Sequence, residues 1–408
     1  MITQIRKRNG GIVAFDPQKI EDAIHKACIA VADEKISSAQ LKELTGRVVA
    51  ALPEDEVPTV EQVQDRVEEV LIAADLAKTA KAYILYRAEH AKIRQSEADL
   101  MDIYKELTFA YAKDADIKRE NANIDADTAM GTMLKYGSEG SKYFMDNYIL
   151  PKDIAAAHIN GDIHIHDKDF YMLTETCCQI DLLKLFHNGF FTGHGCLREP
   201  KSIISYSALA CIAIQANQNE MHGGQSIPNF DYSMAPGVAK TYRKEYVKAL
   251  SQFIQIRTGM SWQDADALCA EMQRQIPVEL SLASAEEFGR QLEKLLPAHQ
   301  RAHGFQEISE KTAAEGHRYA ADEAYRETDK CTYQAMEAFV HNLNTMNSRA
   351  GAQVPFSSVN YGTDTSPEAR MVIRNLLLAT DAGLGDGETP IFPVQIFKVK
   401  EGVNYNPG

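Results

Sequence analysis

A glycine-rich turn near the start of the sequence constrains the fold more than any other local feature. Asn9-Gly10-Gly11 separates two short apolar stretches, residues 2–7 and 12–15. Asn-Gly and Gly-Gly pairs adopt the positive φ values that a tight β-hairpin turn requires. A helical pattern follows directly, with Asp16 as its cap and Pro17 at the first helical position. The chain is therefore predicted to begin with a β-hairpin followed by helices.

Three further helices are predicted before about residue 95. Thr59 and Gln62 have the spacing of a capping box, and apolar residues follow them at helical intervals. The last of these helices contains Tyr83 and Arg87. We expect residues 1–95 to form one domain, a hairpin over a small helical bundle, and residues 96–408 to form a second domain.

The composition is that of an ordinary globular protein. Of 408 residues, 45% are hydrophobic and 25% are charged. The net charge of -14 argues against general binding to nucleic acid or to an anionic membrane surface. No secretory signal or membrane-spanning run is visible, and seven cysteines are too few for a disulfide scaffold in a chain of this length. We therefore expect a cytoplasmic protein.

From about residue 160 the pattern changes to short apolar runs between helical stretches. Strands separated by helices are typical of an α/β domain, so the predicted fold class is α/β. Two glycine-rich segments, 193–200 and 215–228, are predicted to be loops that let a ligand approach the backbone. Strands are predicted at 162–166, 176–183, 202–214, 352–361 and 390–399.

Basic side chains surround the N-terminal turn. Lys7 and Arg8 precede its glycines, and Lys19 lies one turn into the following helix. Backbone N–H groups of such a turn, with Lys and Arg beside them, can hold phosphate oxygens. The alternative is a hairpin turn that only exposes charges, and the motif by itself favours this alternative.

A histidine motif marks a candidate site in the second domain. On a strand, Asp162, His164 and His166 would share one face. Such a face suits the metal site of a barrel hydrolase, a pocket for a phosphorylated substrate, or hydrogen-bonded core histidines. The same two-residue period places Cys177 on a polar face and Cys178 on an apolar face. Cys177 is therefore the better candidate for chemistry, and Cys178 is predicted to be a small buried residue.

Taken together, the motifs resemble two known families. The turn and the Tyr83-x-x-x-Arg87 helix resemble the ATP-cone, a regulatory nucleotide-binding module, over residues 3–94. The segments that begin at Gly161, Cys177, Gln215 and Ser348 occur in the order seen in anaerobic, class III ribonucleoside-triphosphate reductases, whose large catalytic chain the sequence resembles from about residue 100 to its end.

The ATP-cone resemblance implies that ATP and dATP bind here as effectors and switch overall activity. Thr59 matches a position near the base or the ribose, while Val13 replaces an acidic residue that some cones carry. The positions that contact the phosphates in the family are matched by Lys7, Arg8, Asn9, Gly10 and Lys19. Gly11, the second glycine of the turn, is included with them as a candidate.

The reductase resemblance implies part of a ten-stranded α/β barrel of the glycyl radical enzyme type. In that family a glycyl radical oxidises a cysteine, and the resulting thiyl radical removes the 3′-hydrogen of a ribonucleoside triphosphate, with formate as the reductant. Cys177 matches a second cysteine, on the opposite face of the ribose. His164, His166 and Asn360 are candidates for the substrate pocket. The implied partners are a radical-SAM activating enzyme and a second copy, in a homodimer or a dATP-dependent higher oligomer.

The sequence contains no match to the family's thiyl-forming cysteine, zinc site or glycyl radical motif, so these are expected only in a C-terminal part beyond Gly408. No metal ligands are assigned. We expect this chain to be the N-terminal part of the enzyme and to be inactive alone. Two alternatives stay open, a metal-dependent barrel hydrolase and a non-catalytic nucleotide-sensing oligomer.

Overall fold

The chain folds into two compact units, Met1–Lys105 and Glu106–Gly408. The structure is a computed structural model that describes residues 2–8, 10–31, 34, 36–53, 55–109, 128–303, 308–347 and 353–406. The domain boundary expected near residue 95 stays a prediction, because one helix continues from Ala77 to Phe109.

In its described residues, the first unit is a β-hairpin followed by four helices, as the sequence predicts. The two strands pair antiparallel, with Ile5 opposite Val13. The elements are β1 (Gln4–Arg6), β2 (Ile12–Ala14), α1 (Gln18–Ile29), α2 (Ser38–Ala50), α3 (Val60–Ala73) and α4 (Ala77–Phe109).

Side-chain caps fix where α2 and α3 begin. The Gln62 amide donates to the Thr59 hydroxyl at 3.2 Å, and the Thr59 amide donates to the Gln62 side chain at 2.7 Å, so the predicted capping box is confirmed. Ser37 and Gln40 form a second capping box at α2. Apolar side chains of the four helices, among them the fully buried Ile24, form one core. Because short helices are marginal alone, the packing of this core stabilises the bundle.

The second unit is a helix-rich α/β domain. The long helices α9 and α12 pack against each other, and both pack against α8 and α13. In chain order the elements are α5 (Ala129–Phe144), a π-helical turn (Met145–Ile149), α6 (Lys152–Ile159), a 3-10 turn (Lys168–Phe170), β3 (Thr176–Gln179), α7 (Leu182–His187), β4 (Phe190–Phe191), β5 (Cys196–Leu197), α8 (Ile203–Gln218), β6 (His222–Ile227), α9 (Phe230–Thr258), α10 (Trp262–Gln275), α11 (Ala285–His303), α12 (Glu310–Thr345), β7 (Ser357–Tyr361), α13 (Pro367–Ala382) and β8 (Val394–Phe397).

Four strands of this unit form a parallel sheet in the order β3-β6-β7-β8. Gln179, Ser226, Ser358 and Val394 stand side by side across it. Alternate strand residues such as Val359 are buried in a core shared with α8, α9, α12 and α13. We call the opposite side of the sheet the open face, because its residues are exposed or half-buried: Gln179, Ser226, Ser358, Asn360, Val394 and Ile396.

The structure corrects the predicted strand at 162–166, which is a loop. It also corrects the predicted strand at 202–214, which lies within α8. The Ser202 hydroxyl caps this helix by accepting from the Ser205 amide. Much of α8 is buried, including Ile203, Ala210 and Ile214. A helix that is apolar on most sides loses the periodic pattern that distinguishes it from a strand.

Strand β6 was missed, because its sequence is His-Gly-Gly-Gln-Ser-Ile and lies in a predicted loop. Glycine and polar residues in a strand give no apolar alternation. The strands predicted at 352–361 and 390–399 are confirmed as β7 and β8, and 176–183 contains β3 followed by the start of α7. The α/β class is confirmed, while the ten-stranded barrel stays a prediction. None of the helices in the described ranges is long and apolar enough to cross a membrane.

Candidate functional site

The hairpin turn is closed by its own backbone. The Lys7 amide donates to the Gly11 carbonyl at 2.8 Å, and the Gly10 amide donates to the Lys7 carbonyl at 3.0 Å. Gly10 has a φ of +82°, which glycine adopts at little cost. Both amides are engaged within the turn, so they are not directed at a ligand. Asn9, also predicted to contact phosphate, lies outside the described residues.

Arg8 and Arg87 share one carboxylate. Arg8 Nε donates to Glu61 Oε1 at 2.5 Å, and Arg87 Nη2 donates to Glu61 Oε2 at 2.8 Å. Arg8 Nη2 also donates to Gln64 Oε1 at 2.8 Å. Burial alone would raise the pKa of Glu61, but the hydrogen bonds from the two guanidinium groups lower it below its usual value. The arginine predicted to bind phosphate is thus paired with an anion of the chain itself.

Arg87 is the centre of an ionic network on α3 and α4. Besides Glu61, it contacts Asp65 Oδ1 at 2.6 Å and Glu68 Oε1 at 2.8 Å. Burial raises the pKa of the neighbouring Tyr83 to about 12, so its hydroxyl stays protonated at neutral pH. This network fixes α3 against α4 at the side where Arg8 approaches.

A pocket of about 360 Å³ lies between α1 and α4. Lys19 and Lys26 supply positive charge, while Tyr83 and Tyr86 supply flat aromatic surface. This combination suits a ligand with both a planar ring and anionic groups. Lys26 is not among the predicted site residues, although it lies two turns beyond Lys19 on the same side of α1. The pocket is lined by Lys19, Asp22, Ala23, Lys26, Ala27, Ala30, Ala82, Tyr83 and Tyr86.

Thr59 serves the start of α3 rather than this pocket. Its hydroxyl and its amide are both engaged with Gln62. Its backbone also forms a β-bridge with Arg6 of the hairpin. The predicted role of Thr59 near a base or ribose stays a prediction.

Cys177 lies at an irregularity in β3. The pairing register with β6 shifts between Thr176 and Cys178, and Cys177 has a φ of +58°. A positive φ is uncommon outside glycine, and the predicted strict alternation is interrupted here. A Cβ placed on Gly223 would lie 3.0 Å from the Cys177 sulfur. The glycine at position 223 therefore leaves space for the exposed thiol.

Asp167 joins the histidine motif to this part of the sheet. Its Oδ2 lies 3.2 Å from His166 Nε2, and its Oδ1 lies 3.5 Å from His222 Nε2. The same Cβ on Gly223 would lie 3.9 Å from Asp167 Oδ2. His166, Asp167, His222 and Cys177 are thus grouped where β3 and β6 begin. Neither Asp167 nor His222 is among the site residues predicted from the sequence, although Asp167 directly follows His166 and His222 lies in the glycine-rich segment 215–228.

The histidine motif does not form the strand that a barrel hydrolase would need. The ring of His164 lies 5.8 Å from that of His158 and 5.9 Å from that of His166. Within the described part of the chain, no three His, Cys, Asp or Glu side chains are arranged to hold a metal ion. Asp162 and His164 lie in a loop, so they do not share a strand face with His166. The structure therefore does not favour the metal-dependent barrel hydrolase, which needs these residues on one strand.

Asn360 lies on the open face of the sheet. Its Oδ1 accepts from the Ser226 hydroxyl at 3.2 Å, and Ser226 is level with Gln179 of β3. The structure therefore places Asn360 on the same face as the polar side chains of β3, two strands away. This face presents hydroxyl and amide groups, which can hydrogen-bond a polar ligand.

Cys178 belongs to the buried side of β3. Its sulfur accepts from Asn217 Nδ2 at 3.0 Å, and it packs against the main core. Burial raises the pKa of the Cys178 thiol, despite the hydrogen bond from Asn217. Cys178 therefore packs on the inner side of β3, although it is half-buried and not buried as predicted. All seven cysteines lie in described residues and are free thiols.

Asp231 holds the loop that leaves the sheet after β7. Its buried Oδ2 accepts from the amides of Gly362, Thr363 and Asp364 at 2.8, 3.1 and 3.1 Å. A carboxylate with three backbone donors is a strong anchor. The sequence gives no local signal for this residue, because the interaction joins positions more than a hundred residues apart.

Comparison with known proteins agrees with both parts of this architecture. Residues 3–92 match the family described as ATP cone domain. Residues 120–408 match the family described as anaerobic ribonucleoside-triphosphate reductase. A hairpin-and-helix nucleotide module followed by this α/β domain defines the class as ribonucleotide reductases. The chain belongs to the anaerobic ribonucleoside-triphosphate reductase family.

Curated relatives carry the same names. The anaerobic ribonucleoside-triphosphate reductase of Salmonella typhimurium is 25% identical over 412 residues, covering 100% of this chain and 48% of the relative. The phage T4 enzyme of that name is 28% identical over 309 residues, 74% of this chain and 40% of its own length. A vitamin B12-dependent ribonucleoside-diphosphate reductase of Thermoplasma acidophilum is 40% identical over 112 residues, 26% of this chain and 14% of its own. The chain spans about half the length of the full-length relatives it matches.

Proposed function

We propose that this chain supplies the effector domain and the first part of the catalytic chamber of an enzyme that reduces ribonucleoside triphosphates to deoxyribonucleoside triphosphates. The observation that carries the proposal is that one chain joins an ATP cone to a parallel sheet whose open face carries hydroxyl and amide side chains and whose first strand exposes Cys177. The relatives' names support the reaction class.

In the first unit, the effectors ATP and dATP occupy the pocket between α1 and α4. An adenine ring contacts Tyr83 or Tyr86, and the phosphates are held by Lys19, all three of which line the pocket. Lys7 and Arg8 of the hairpin add to the phosphate contacts as the resemblance implies. Asn9, Gly10, Gly11 and Thr59 complete the site as the resemblance implies. The two-lysine face of α1 and the aromatic face of α4 support this assignment.

In the second unit, the ribose of the substrate lies over the open face. A second cysteine, activated by a glycyl radical outside the described residues, would remove the 3′-hydrogen of the ribose. Cys177 stands on the other face of the ribose and donates the proton that accompanies loss of the 2′-hydroxyl as water. His164, His166 and Asn360 orient the substrate. Asp167 contacts His222, and both Asp167 Oδ2 and the Cys177 sulfur lie within 4 Å of the place that a Cβ on Gly223 would occupy.

The remaining expectations belong to the same proposal. The four strands are the first part of a ten-stranded barrel that excludes water from the radical. Residues 1–95 and 96–408 are its two domains. Formate is the reductant, and a structural zinc ion lies outside the described residues. The enzyme works in the cytoplasm with a radical-SAM activating enzyme, as a homodimer or a dATP-dependent higher oligomer.

Titration calorimetry with ATP and dATP tests the effector site. Lys19→Ala removes a charge from the pocket, so we expect it to weaken binding of both nucleotides about tenfold. Lys42→Ala is the matched control, because Lys42 is an exposed residue of α2 that does not line the pocket. Equal affinity of the Lys19→Ala variant and the parent chain would refute the assigned pocket.

Alkylation of Cys177 tests the substrate site. Cys177 and Cys196 are both exposed, so both should react with iodoacetamide under reducing, anaerobic conditions. We expect a ribonucleoside triphosphate to slow modification of Cys177 and to leave Cys196 unaffected, as measured by peptide mass spectrometry. If nucleotide binds to the first unit but slows modification of neither cysteine, the result would favour a nucleotide sensor without a substrate site.

A further inference from the structure

Helix α4 begins without a capping side chain of its own. It starts at Ala77, and the side chain of the preceding Leu76 offers no hydrogen-bond acceptor. The first amides of a helix have no acceptor within the helix, so they need a partner from elsewhere. A carboxylate distant in the sequence supplies it. Glu34, from the segment between α1 and α2, accepts from the Lys78 amide through Oε1 at 3.1 Å and from the Thr79 amide through Oε2 at 2.9 Å.

The side chain of Thr79 strengthens this interaction. Its hydroxyl donates to Glu34 Oε2 at 2.7 Å, and Thr79 itself is buried. The hydrogen bond from the Thr79 hydroxyl lowers the pKa of Glu34 below its usual value, so the carboxylate stays charged at neutral pH. A negative charge at the N-terminus of a helix is also favoured by the helix dipole. We call the contacts of Glu34 with Lys78 and Thr79 the α4 cap.

The α4 cap lies at one end of the pocket between α1 and α4. Glu34 follows closely after Ala30, the last lining residue at the end of α1, and Thr79 lies just before Ala82, the first lining residue on α4. Thr79 also forms a hydrogen bond with Cys28, which is buried on α1. The cap therefore joins the two helices that line the pocket and fixes their separation at this end.

We propose that Glu34 is a positioning residue of the effector pocket, which holds the first turn of α4 against the end of α1 at the separation that a nucleotide needs. The inference rests on the proposed function of this pocket, although Glu34 does not line it. When the cap is weakened, α4 shifts relative to α1, and Tyr83 is no longer held at a fixed distance from Lys19. Binding then has to restore that distance, which lowers the affinity even while the unit is folded. By reciprocity, a bound nucleotide tightens the cap.

Titration calorimetry of the full chain with ATP tests the positioning role. We expect Glu34→Gln and Thr79→Val each to raise the dissociation constant about threefold to tenfold, since each removes part of the cap. Thr79→Ser keeps the hydroxyl and should bind ATP within about twofold of the parent. Loss of a negative charge by itself would strengthen binding of the anionic nucleotide, so weaker binding by Glu34→Gln has the opposite sign to that general effect.

Glu43→Gln is the matched control, because it makes the same change in charge at an exposed position on α2. It should not weaken ATP binding. All variants are measured far below their melting temperatures, where each is folded. A loss of stability alone then leaves the affinity unchanged, whereas a loss of positioning lowers it.

Hydrogen exchange measured by NMR spectroscopy gives a second readout that a purely structural role would not move. We expect ATP to slow exchange of the Lys78 and Thr79 amides at least about fivefold in the parent, because the bound nucleotide tightens the cap. The proposal is overturned if ATP leaves this exchange unchanged, if both cap variants bind ATP like the parent, or if Thr79→Ser binds as weakly as Thr79→Val. If Lys19→Ala also binds ATP like the parent, the pocket assignment fails as well. If Lys19→Ala binds weakly and only the cap variants bind normally, this inference alone fails.

Discussion

Arg8 of the hairpin turn donates to the carboxylate of Glu61, at the start of α3, at 2.5 Å. The same carboxylate accepts from Arg87 of α4 at 2.8 Å. A phosphate oxygen that binds Arg8 has to displace the Glu61 carboxylate or share the arginine with it. Glu61 therefore sets the strength with which the proposed effector site holds phosphate.

Removing the charge of Glu61 should strengthen nucleotide binding. We expect Glu61→Gln to lower the dissociation constant for ATP about threefold to tenfold, because Arg8 loses its ionic partner and local repulsion of phosphate falls. Glu69→Gln is the matched control, since Glu69 lies on the same helix but pairs with Arg66. If calorimetry gives both variants the same dissociation constant for ATP, Glu61 does not compete specifically with phosphate for Arg8.

A side chain at position 223 should disturb the Cys177 site. Gly223 has a φ of +90°, and its added Cβ would lie 3.0 Å from the Cys177 sulfur. Gly161 has a φ of +82° with nothing within 4 Å, so Gly161→Ala isolates the backbone cost, about 1 kcal/mol. We expect Gly223→Ala to lower the melting temperature more than Gly161→Ala does and to slow alkylation of Cys177. Equal melting temperatures and alkylation rates for the two variants would show that position 223 does not confine the thiol.

Loss of the Asp231 charge should destabilise the second unit. Three backbone amides donate to this buried carboxylate. We expect Asp231→Asn to cost about 2 kcal/mol, because charge-assisted hydrogen bonds are replaced by weaker ones and one amide group is left poorly paired. Asp322→Asn, at an exposed position of α12, should change stability little. If denaturant unfolding gives the two variants the same free energy of unfolding, Asp231 does not anchor the loop after β7.

Stability of the second unit should fall on mild acidification. His317 is buried on α12, where its Nδ1 is 2.8 Å from the Tyr246 hydroxyl. Burial lowers the pKa of His317 below 6.5, although Glu286 and Glu293 oppose that shift. The unfolded state then binds the proton at higher pH than the folded state does. The contribution of His317 to stability is present above its unfolded-state pKa of about 6.5 and is lost as pH falls from there through its lower folded-state pKa.

Calorimetry between pH 7.5 and pH 5.5 measures this loss. We expect the melting temperature of the parent to fall over this range and that of His317→Gln to fall less steeply, whatever its starting value. His187→Gln is the control, because His187 is exposed at the end of α7. If the parent and His317→Gln show the same slope, the titration of His317 does not contribute.

Local sequence patterns were sufficient for the first unit. Hairpin turns and capping boxes are encoded by residues a few positions apart, so Gly10 and the Thr59–Gln62 pair predicted real elements. The same holds for β7, in which buried and half-buried residues alternate regularly. Where burial is complete or side chains are absent, the periodic signal disappears, which is why α8 was predicted as a strand and β6 as a loop.

The sequence by itself determined the two families and the hairpin-and-helix module, because each depends on neighbouring residues or ordered motifs. Only the tertiary structure decided that Glu61 holds Arg8, that Asp167 and His222 meet beside Cys177, and that Asp231 anchors the loop after β7. These contacts join residues far apart in the chain, and their geometry depends on how helices and strands pack. Local patterns do not contain that information, since the same spacing of polar residues is compatible with many packings.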